Sequence, residues 1–205
     1  MERKEHWEAI YKTKAPNEVS WYQERPTKSL ELIKASKIKK DAAVIDVGGG
    51  ASTLVDHLLS NGFRRLTVLD ISLEALQKAK ARLSTTYADA VTWMEGDVTQ
   101  VILPYHFYDL WHDRAVFHFL TSPEDRQRYI RTLNDALKPG GHVIMATFAL
   151  EGPPKCSGLE VMRYSPETLS KELGAEFKLI SSVSEIHQTP SGGDQNFIYV
   201  HFVRI

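Results

Sequence analysis

Three consecutive glycines follow directly after a short apolar run, and this arrangement limits the possible folds more than any other feature of the sequence. The run Val44-Ile45-Asp46-Val47 leads into Gly48-Gly49-Gly50. Glycine has no Cβ, so the backbone can adopt a positive φ and a ligand can approach it closely. A buried parallel strand that turns into a helix beside a ligand has this pattern. We therefore predict a strand over residues 43–47 and a ligand site at the glycine turn.

A second apolar run, Leu66-Thr67-Val68-Leu69, also ends in an acid, Asp70. Asp46 and Asp70 are separated by one strand–helix–strand step, close to the ~20-residue spacing at which an acid meets a nucleotide ribose. The two acids and the glycine turn predict an adenosine-containing cofactor at the first switch of an α/β sheet.

The charge beside the glycine turn separates the two main candidates for this cofactor. In a nicotinamide or flavin enzyme the turn faces a pyrophosphate, which Asp46 would repel at short range. S-adenosylmethionine instead presents an ammonium and a sulfonium, which Asp46 would attract. The dinucleotide fingerprint G-x-G-x-x-G also fails at its last position, where Thr53 stands. We therefore favour S-adenosylmethionine, with a dinucleotide-binding oxidoreductase and a catalytically silent cofactor-binding protein as alternatives.

Three further segments continue the same alternation of strands and turns. Asp97 and Val98 follow the third apolar run, where a carboxylate can accept a hydrogen bond from an adenine amino group and the valine can pack on the ring. The alternative is that Asp97 is an ordinary aspartate of a strand-end turn. A fourth strand is predicted over 107–114, and Leu137-Lys138-Pro139-Gly140-Gly141 precedes a fifth.

This succession of motifs, over residues 40–150, resembles the class I S-adenosylmethionine-dependent methyltransferases. Ser52 replaces the last glycine of the G-x-G-x-G pattern and can instead cap the following helix. The N-terminal aromatics Trp7, Tyr11 and Trp21-Tyr22 look like the methyltransferase type 12 branch, which includes protein lysine methyltransferases and small-molecule enzymes. The resemblance implies cofactor contacts from Trp21, Asp46, Gly48, Gly49, Gly50, Asp70, Ile71, Asp97, Val98 and Asp113.

The expected fold is α/β: a Rossmann-like, doubly wound and mostly parallel sheet of seven strands. The last two runs, 176–186 and 196–204, are joined by a loop too short for a parallel return, so they predict an antiparallel hairpin. The resulting order is 3-2-1-4-5-7-6. We expect one domain over 1–205, with N-terminal helices and a lid in 1–40 and the Rossmann-like core in 41–205. Helix starts are predicted at Ser52, Ser72, Ser122 and Ser165.

The composition excludes several classes of function. The formal net charge is −1, so a general attraction to nucleic acid or anionic membrane is not expected. The charged first residues lack the apolar run of a signal peptide, and no apolar stretch approaches the ~20 residues of a membrane span. One cysteine allows no intrachain disulfide and no cysteine metal cluster. We expect a cytoplasmic monomer or weak homodimer without a metal.

Ligands of open α/β sheets lie beyond the carboxyl ends of the strands, and this rule selects the remaining candidates. Asp113, His118 and His112 are candidate general bases, needed only if the methyl acceptor arrives protonated. For Asp113 the alternative is a helix cap, and for His118 a packed core histidine. The acceptor is expected to be a small molecule or a protein side chain, with Trp21 and Tyr22 as a lid. Candidate acceptor-pocket residues are Tyr22, Arg114, Cys156 and Arg163.

Overall fold

A computed structural model describes residues 3–83 and 85–205 of the chain. The two leading residues of the expected lid, 1 and 2, therefore lie outside the described residues. Seven strands form one sheet in the order β3-β2-β1-β4-β5-β9-β8, and β6 and β7 pair separately. The strands are β1 (Ala43–Val47), β2 (Arg65–Asp70), β3 (Val91–Glu95), β4 (Tyr108–Arg114), β5 (Leu137–Phe148), β6 (Lys155–Cys156), β7 (Leu159–Glu160), β8 (Phe177–Gln188) and β9 (Asp194–Arg204).

The predicted strand order is confirmed, with the small β6–β7 hairpin as an addition that shifts the numbers of the last two strands. Strands β1 to β5 run parallel to one another, while β9 is antiparallel to both β5 and β8. All five residues of β1 are buried, as expected for a central parallel strand covered on both faces. The C-terminal hairpin has the predicted antiparallel form.

Helices cover both faces of the sheet and add an N-terminal layer. They are α1 (Arg3–Thr13), α2 (Thr27–Ala35), α3 (Leu54–Ser60), α4 (Leu73–Arg82), α5 (Pro123–Ala136) and α6 (Pro166–Leu173), with short 3₁₀ turns at Pro16–Glu18, Thr85–Ala90 and Phe117–Phe119. One face packs Trp111 of β4 against Tyr129 of α5, and the other packs Val44 of β1 against Leu58 of α3. Within the described residues, no helix has the length and apolar character needed to cross a bilayer.

Three of the four predicted helix caps are confirmed. The hydroxyls of Ser72, Ser122 and Ser165 each accept a hydrogen bond from a backbone N–H in the first turn of their helix. The prediction that Ser52 begins α3 is wrong by two positions. Thr53 is the N-cap, α3 starts at Leu54, and the Ser52 hydroxyl accepts the Leu54 N–H over 3.1 Å.

Two leucines show where helical periodicity ends. Leu73, the first residue of α4, is 44% exposed because the helix turns Ala75, Leu76 and Ala79 toward the core. Leu137 continues the apolar spacing of α5, but it begins β5, where it is fully buried and pairs with Tyr108 of β4.

Candidate active site

The turn after β1 has the close packing that its glycines predict. Gly48 has φ of 67° and Gly50 has φ of 32°, which are left-handed conformations. A Cβ added at Gly48 would lie 2.0 Å from Val116 Cγ2, and one at Gly50 would lie 2.5 Å from Asp70 Oδ2. The turn is further held by the Gly48 N–H, which donates to the Leu69 carbonyl over 2.7 Å. Any side chain at these positions would fill space at the sheet's carboxyl edge.

A cleft with two lobes opens at this edge. The first lobe encloses a cavity of about 100 Å³ and is partly open to solvent. It is lined by residues that include Asp70, Ile71, Asp97, Val98, Val116, Phe119 and Cys156. The second lobe is lined by residues that include Tyr22, Ser29, Asp46, Gly49, Ser52 and His112. Tyr11, Trp21, Val47, Gly48 and Arg114 line both lobes.

Asp70 lies at the end of β2 with its carboxylate against the glycine turn. Its Oδ1 accepts the Ser72 N–H over 2.8 Å. Burial raises the pKa of Asp70 to about 7, and the nearby negative charge of Asp46 acts in the same direction. A carboxylate held here, facing the first lobe, is suited to accept hydrogen bonds from a diol.

Asp97 has the turn role that was its alternative, and it also lines the first lobe. Its Oδ1 accepts hydrogen bonds from the Thr99 N–H and hydroxyl, both at 2.8 Å, which is the ordinary turn function. Its Oδ2 faces the first lobe and accepts from Arg3 Nη1 over 3.0 Å. Val98 is buried beside it and lines the same lobe.

Helix α1 forms the outer wall of the first lobe. Arg3 links it to Asp97 and also to Asp125, whose Oδ2 lies 2.6 Å from Arg3 Nη2. The Trp7 ring packs edge-on against Trp21 and Phe119, with centroids 5.6 and 4.9 Å apart. The expected N-terminal cover therefore lies against the cleft.

The segment that follows α1 is attached to the rest of the domain through its backbone carbonyls. Arg114 Nη1 donates to the Trp21 carbonyl over 2.8 Å, and His187 Nε2 donates to the Ser20 carbonyl over 2.7 Å. The Thr53 hydroxyl donates to the Gln23 carbonyl over 2.9 Å. Trp21 is thereby held between the two lobes.

Asp113 is occupied by structural hydrogen bonds. Its carboxylate accepts the Val116 and Phe117 N–H groups at 2.9 and 3.1 Å and the Tyr129 hydroxyl at 2.6 Å. It is fully buried and lines neither lobe. Burial raises its pKa to about 6. This is the capping alternative, so the geometry separates Asp113 from the cofactor contacts and catalytic role expected of it.

The two candidate histidines occupy different environments. His118 is fully buried between Phe119 and Phe148, outside both lobes, and accepts the Phe148 N–H at Nδ1 over 3.4 Å. Burial lowers its pKa to about 3, which makes it a weak proton acceptor. His112 lines the second lobe, where it bridges Asp46 and Ser29.

Of the four candidate acceptor-pocket residues, three line the cleft and one does not. Tyr22 lines the second lobe, Arg114 lines both, and Cys156 lines the first. Burial raises the pKa of the Cys156 thiol to about 11, so it stays protonated. Arg163 lines neither lobe and donates to the carbonyls of Leu150 and Gly152.

Several residues that line the first lobe were not among the predicted site residues, including Arg3, Trp7, Tyr11 and Phe119. Trp7 and Tyr11 are four positions apart, so one helix face presents both rings. That spacing could have marked α1 as a wall of the cleft. No pattern in the sequence identifies Phe119, which reaches the cleft on the turn that Asp113 caps.

Comparisons with known proteins identify the family of this chain. Residues 44–141 match the family model of a methyltransferase domain. The "EEF1A lysine methyltransferase 2" of Danio rerio is 24% identical over 157 residues, which cover 70% of this chain and 67% of that protein. An S-adenosylmethionine-dependent methyltransferase from Anabaena variabilis superposes with a TM-score of 0.78 at 15% identity, over 100% of this chain and 96% of that one.

A third relative carries the demethylated cofactor. It is the Burkholderia thailandensis 1,6-didemethyltoxoflavin-N1-methyltransferase with bound S-adenosylhomocysteine. Its TM-score is 0.68 at 18% identity, over 88% of this chain and 77% of that one. The match of residues 44–141 to the methyltransferase domain, on this fold, makes the chain a class I S-adenosylmethionine-dependent methyltransferase, and S-adenosylmethionine is its cofactor. The antiparallel end of the sheet fits this class and not the dinucleotide-binding alternative.

The residues of the cleft fit this cofactor. The glycine turn leaves room that any Cβ would fill. Asp70 and Asp97 face the first lobe with carboxylate oxygens suited to a ribose diol and an adenine amino group. In the second lobe, Asp46 Oδ2 is buried and has no hydrogen-bond partner among the described residues. An unpaired buried carboxylate oxygen is costly, and a cationic ligand group nearby offsets that cost.

Proposed function

We propose that this methyltransferase acts on the side-chain amine of a protein lysine. The observation that carries the proposal is the chemistry of the first lobe beyond Asp70. Its walls there are Trp7, Trp21, Phe119 and Cys156, with the Arg114 guanidinium beside them. Such walls suit a thin aliphatic side chain that carries one nucleophilic atom at its tip.

The same surroundings favour a neutral amine. Burial against apolar rings and a nearby cation both lower the pKa of an entering ammonium. Arg114 is that cation. Asp70 and Asp97 are the carboxylates that line this lobe, and in this proposal both bind the cofactor's nucleoside. The cofactor supplies the electrophilic methyl group. The chain needs only to align the amine, exclude water and release the proton to solvent.

The relatives support the choice of a protein lysine. The aligned region covers 67% of the Danio rerio lysine methyltransferase and 70% of this chain. Cys156 does not compete as a nucleophile in this scheme, because burial keeps its thiol protonated.

The test uses methyl-labelled cofactor and a lysate split into protein and metabolite fractions. We expect label in the protein fraction, on a lysine identified by mass spectrometry, and loss of label when that lysine becomes arginine. Purified elongation factor 1A is the first single protein to test. Asp70→Ala serves as the cofactor-binding control. Label that appears only in metabolites would reject a protein acceptor.

A small-molecule acceptor is the second candidate, and one observation favours it. Helix α1 covers the outer side of the first lobe through Arg3 and Trp7, which narrows access for a large partner. The two candidates differ in the fraction that takes up label, so the same experiment separates them.

A further inference from the structure

A chain of three buried side chains crosses the back of the second lobe. His112 Nδ1 lies 2.7 Å from Asp46 Oδ1, and His112 Nε2 lies 2.8 Å from the Ser29 hydroxyl. Asp46 belongs to β1 and His112 to β4, and the two residues are direct neighbours in the parallel register. Ser29 comes from α2, which packs on that face.

The connectivity matches a serine–histidine–aspartate triad, but the burial rules out that use. Ser29 is fully buried, so no substrate carbonyl can reach its hydroxyl. His112 is 3% exposed and Asp46 5%. The chain of hydrogen bonds therefore serves the Asp46 carboxylate, which lines the second lobe and has one oxygen without a partner among the described residues.

The hydrogen bonds define the direction of this chain. An ionised carboxylate only accepts, so His112 donates its Nδ1–H to Asp46. In neutral His112 the other nitrogen is then an acceptor, and it receives the Ser29 O–H. One carboxylate oxygen is thus fixed by His112, while Oδ2 stays unpaired beneath the glycine turn, where a Cβ at Gly49 would come within 2.6 Å of it.

The second lobe contains few other charges. Asp46 is the one carboxylate among the described residues that line it. The other charged or titratable groups lining it are His112, Arg114, Tyr11 and Tyr22. Arg114 is engaged with the Trp21 carbonyl and the Tyr199 hydroxyl. The negative charge that this lobe offers a ligand is therefore that of Asp46.

We propose that His112, supported by Ser29, is a positioning residue that orients the Asp46 carboxylate toward the ammonium group of the cofactor's amino-acid end. His112 touches neither the methyl group nor the acceptor in this role. This differs from the role of general base that its position near the carboxyl end of β4 suggested. The assignment concerns cofactor binding and does not depend on which acceptor is methylated.

Three nucleoside probes test it by calorimetry without any turnover. S-adenosylhomocysteine carries both the ammonium and the carboxylate, and its decarboxylated form keeps only the ammonium. 5′-Methylthioadenosine has neither group. We expect His112→Phe to lower the affinity for the first two probes at least about tenfold, equivalent to ~1.4 kcal/mol. The affinity for methylthioadenosine should stay within about twofold of the wild-type value.

Two conservative variants keep the test decisive if His112→Phe does not fold. His112→Asn retains a donor near the Nδ1 position and should recover most of the lost affinity. Ser29→Ala removes the hydrogen bond to His112 Nε2. It should cause a smaller loss of affinity, again for the two probes that carry the ammonium and not for methylthioadenosine. In an Asp46→Asn background, substitution of His112 should cause no further selective loss, because the two residues act as one unit.

Each outcome decides the proposal. An equal loss for all three probes would show that His112 only stabilises the fold. A loss confined to S-adenosylhomocysteine would assign His112 to the carboxylate and overturn the ammonium role. Unchanged affinities in a folded His112→Phe variant would also overturn it.

Discussion

Gly50 lies directly over the carboxylate of Asp70, so closely that a Cβ at Gly50 would fall 2.5 Å from Asp70 Oδ2. The glycine turn of β1 and the acid that ends β2 are therefore one unit. The absence of a side chain at Gly50 leaves the Asp70 oxygen free for the cofactor. Two predictions follow from this contact.

Gly50→Val should abolish binding of S-adenosylhomocysteine while the circular dichroism stays largely native. The valine would collide with Asp70 and with Ala75, whose Cβ lies 3.1 Å from the added atom. Gly140→Val is a matched control, because Gly140 also has a positive φ, of 74°, but no atom within 4 Å of an added Cβ. Normal binding by the Gly50 variant, measured by calorimetry, would place the ligand elsewhere.

Asp70→Ala should weaken the binding of S-adenosylhomocysteine by about 1.5–3 kcal/mol, which is the free energy of a lost hydrogen bond to a charged group. The wild type should also bind more weakly as the pH falls below about 7. Its Asp70 is then protonated and must release a proton to accept two hydroxyls, which costs up to about tenfold per pH unit. Asp70→Asn should bind weakly at every pH. A wild-type affinity that is flat from pH 5 to 8 would contradict this.

Asp70→Asn should also stabilise the cofactor-free protein at alkaline pH. The pKa of Asp70 is about 7 in the folded chain and near 3.8 unfolded, so the unfolded state loses its proton first as the pH rises. The free energy of unfolding therefore falls between these two values, and the wild type carries the full penalty above pH 7. We expect the variant to gain about 1–3 kcal/mol at pH 8 and little at pH 4, by urea denaturation.

Tyr129→Phe should cost about 2–4 kcal/mol of stability, since it leaves the buried Trp111 N–H unpaired and removes one of the three hydrogen bonds to the Asp113 carboxylate. The Tyr129 hydroxyl donates to Asp113 over 2.6 Å and accepts the Trp111 Nε1–H over 2.8 Å. The methylation rate of the folded fraction should stay within about twofold. A rate that falls by orders of magnitude in a stable variant would instead support a catalytic Asp113.

The cofactor should protect residues 15–25 from proteolysis. In this segment the Ser20 and Trp21 carbonyls are held by His187 and Arg114, and Trp21 lines both lobes. A bound cofactor adds contacts to that wall, and an ordered segment is cut less often. Limited proteolysis with and without S-adenosylhomocysteine measures the effect, with Gly50→Val as the control. Equal cleavage in both conditions would leave Trp21 and Tyr22 as packing residues.

Arg114→Gln should shift the acidic limb of the methylation rate to higher pH, provided that the acceptor is an amine. The guanidinium lowers the pKa of an ammonium beside it, and glutamine keeps a donor for the Trp21 carbonyl without the charge. Arg114→Lys retains the charge and should keep the wild-type profile. Identical profiles for all three proteins would remove Arg114 from the activation of the acceptor.

Local signals were sufficient to predict most of the architecture. The apolar run before Gly48 defines β1 to the residue, and serines at 72, 122 and 165 cap the helices that they predict. These features depend on a few adjacent residues whose backbone preferences act over one turn. The short loop before β9 likewise required an antiparallel return.

The roles of His112 and Asp113 depended on tertiary structure. Successive side chains of a strand point to opposite faces, so His112 turns toward α2 and Ser29, while Asp113 turns toward α5 and Tyr129. Their partners are distant in sequence, and only the packing of the two helix layers determines which residue meets the cleft. The sequence by itself determined the strand order of the main sheet, the glycine turn and the acids at the strand ends, because each is a local backbone or spacing requirement. Only the fold decided which polar side chains face the ligand, because burial and hydrogen-bond partners come from segments that the sequence does not place together.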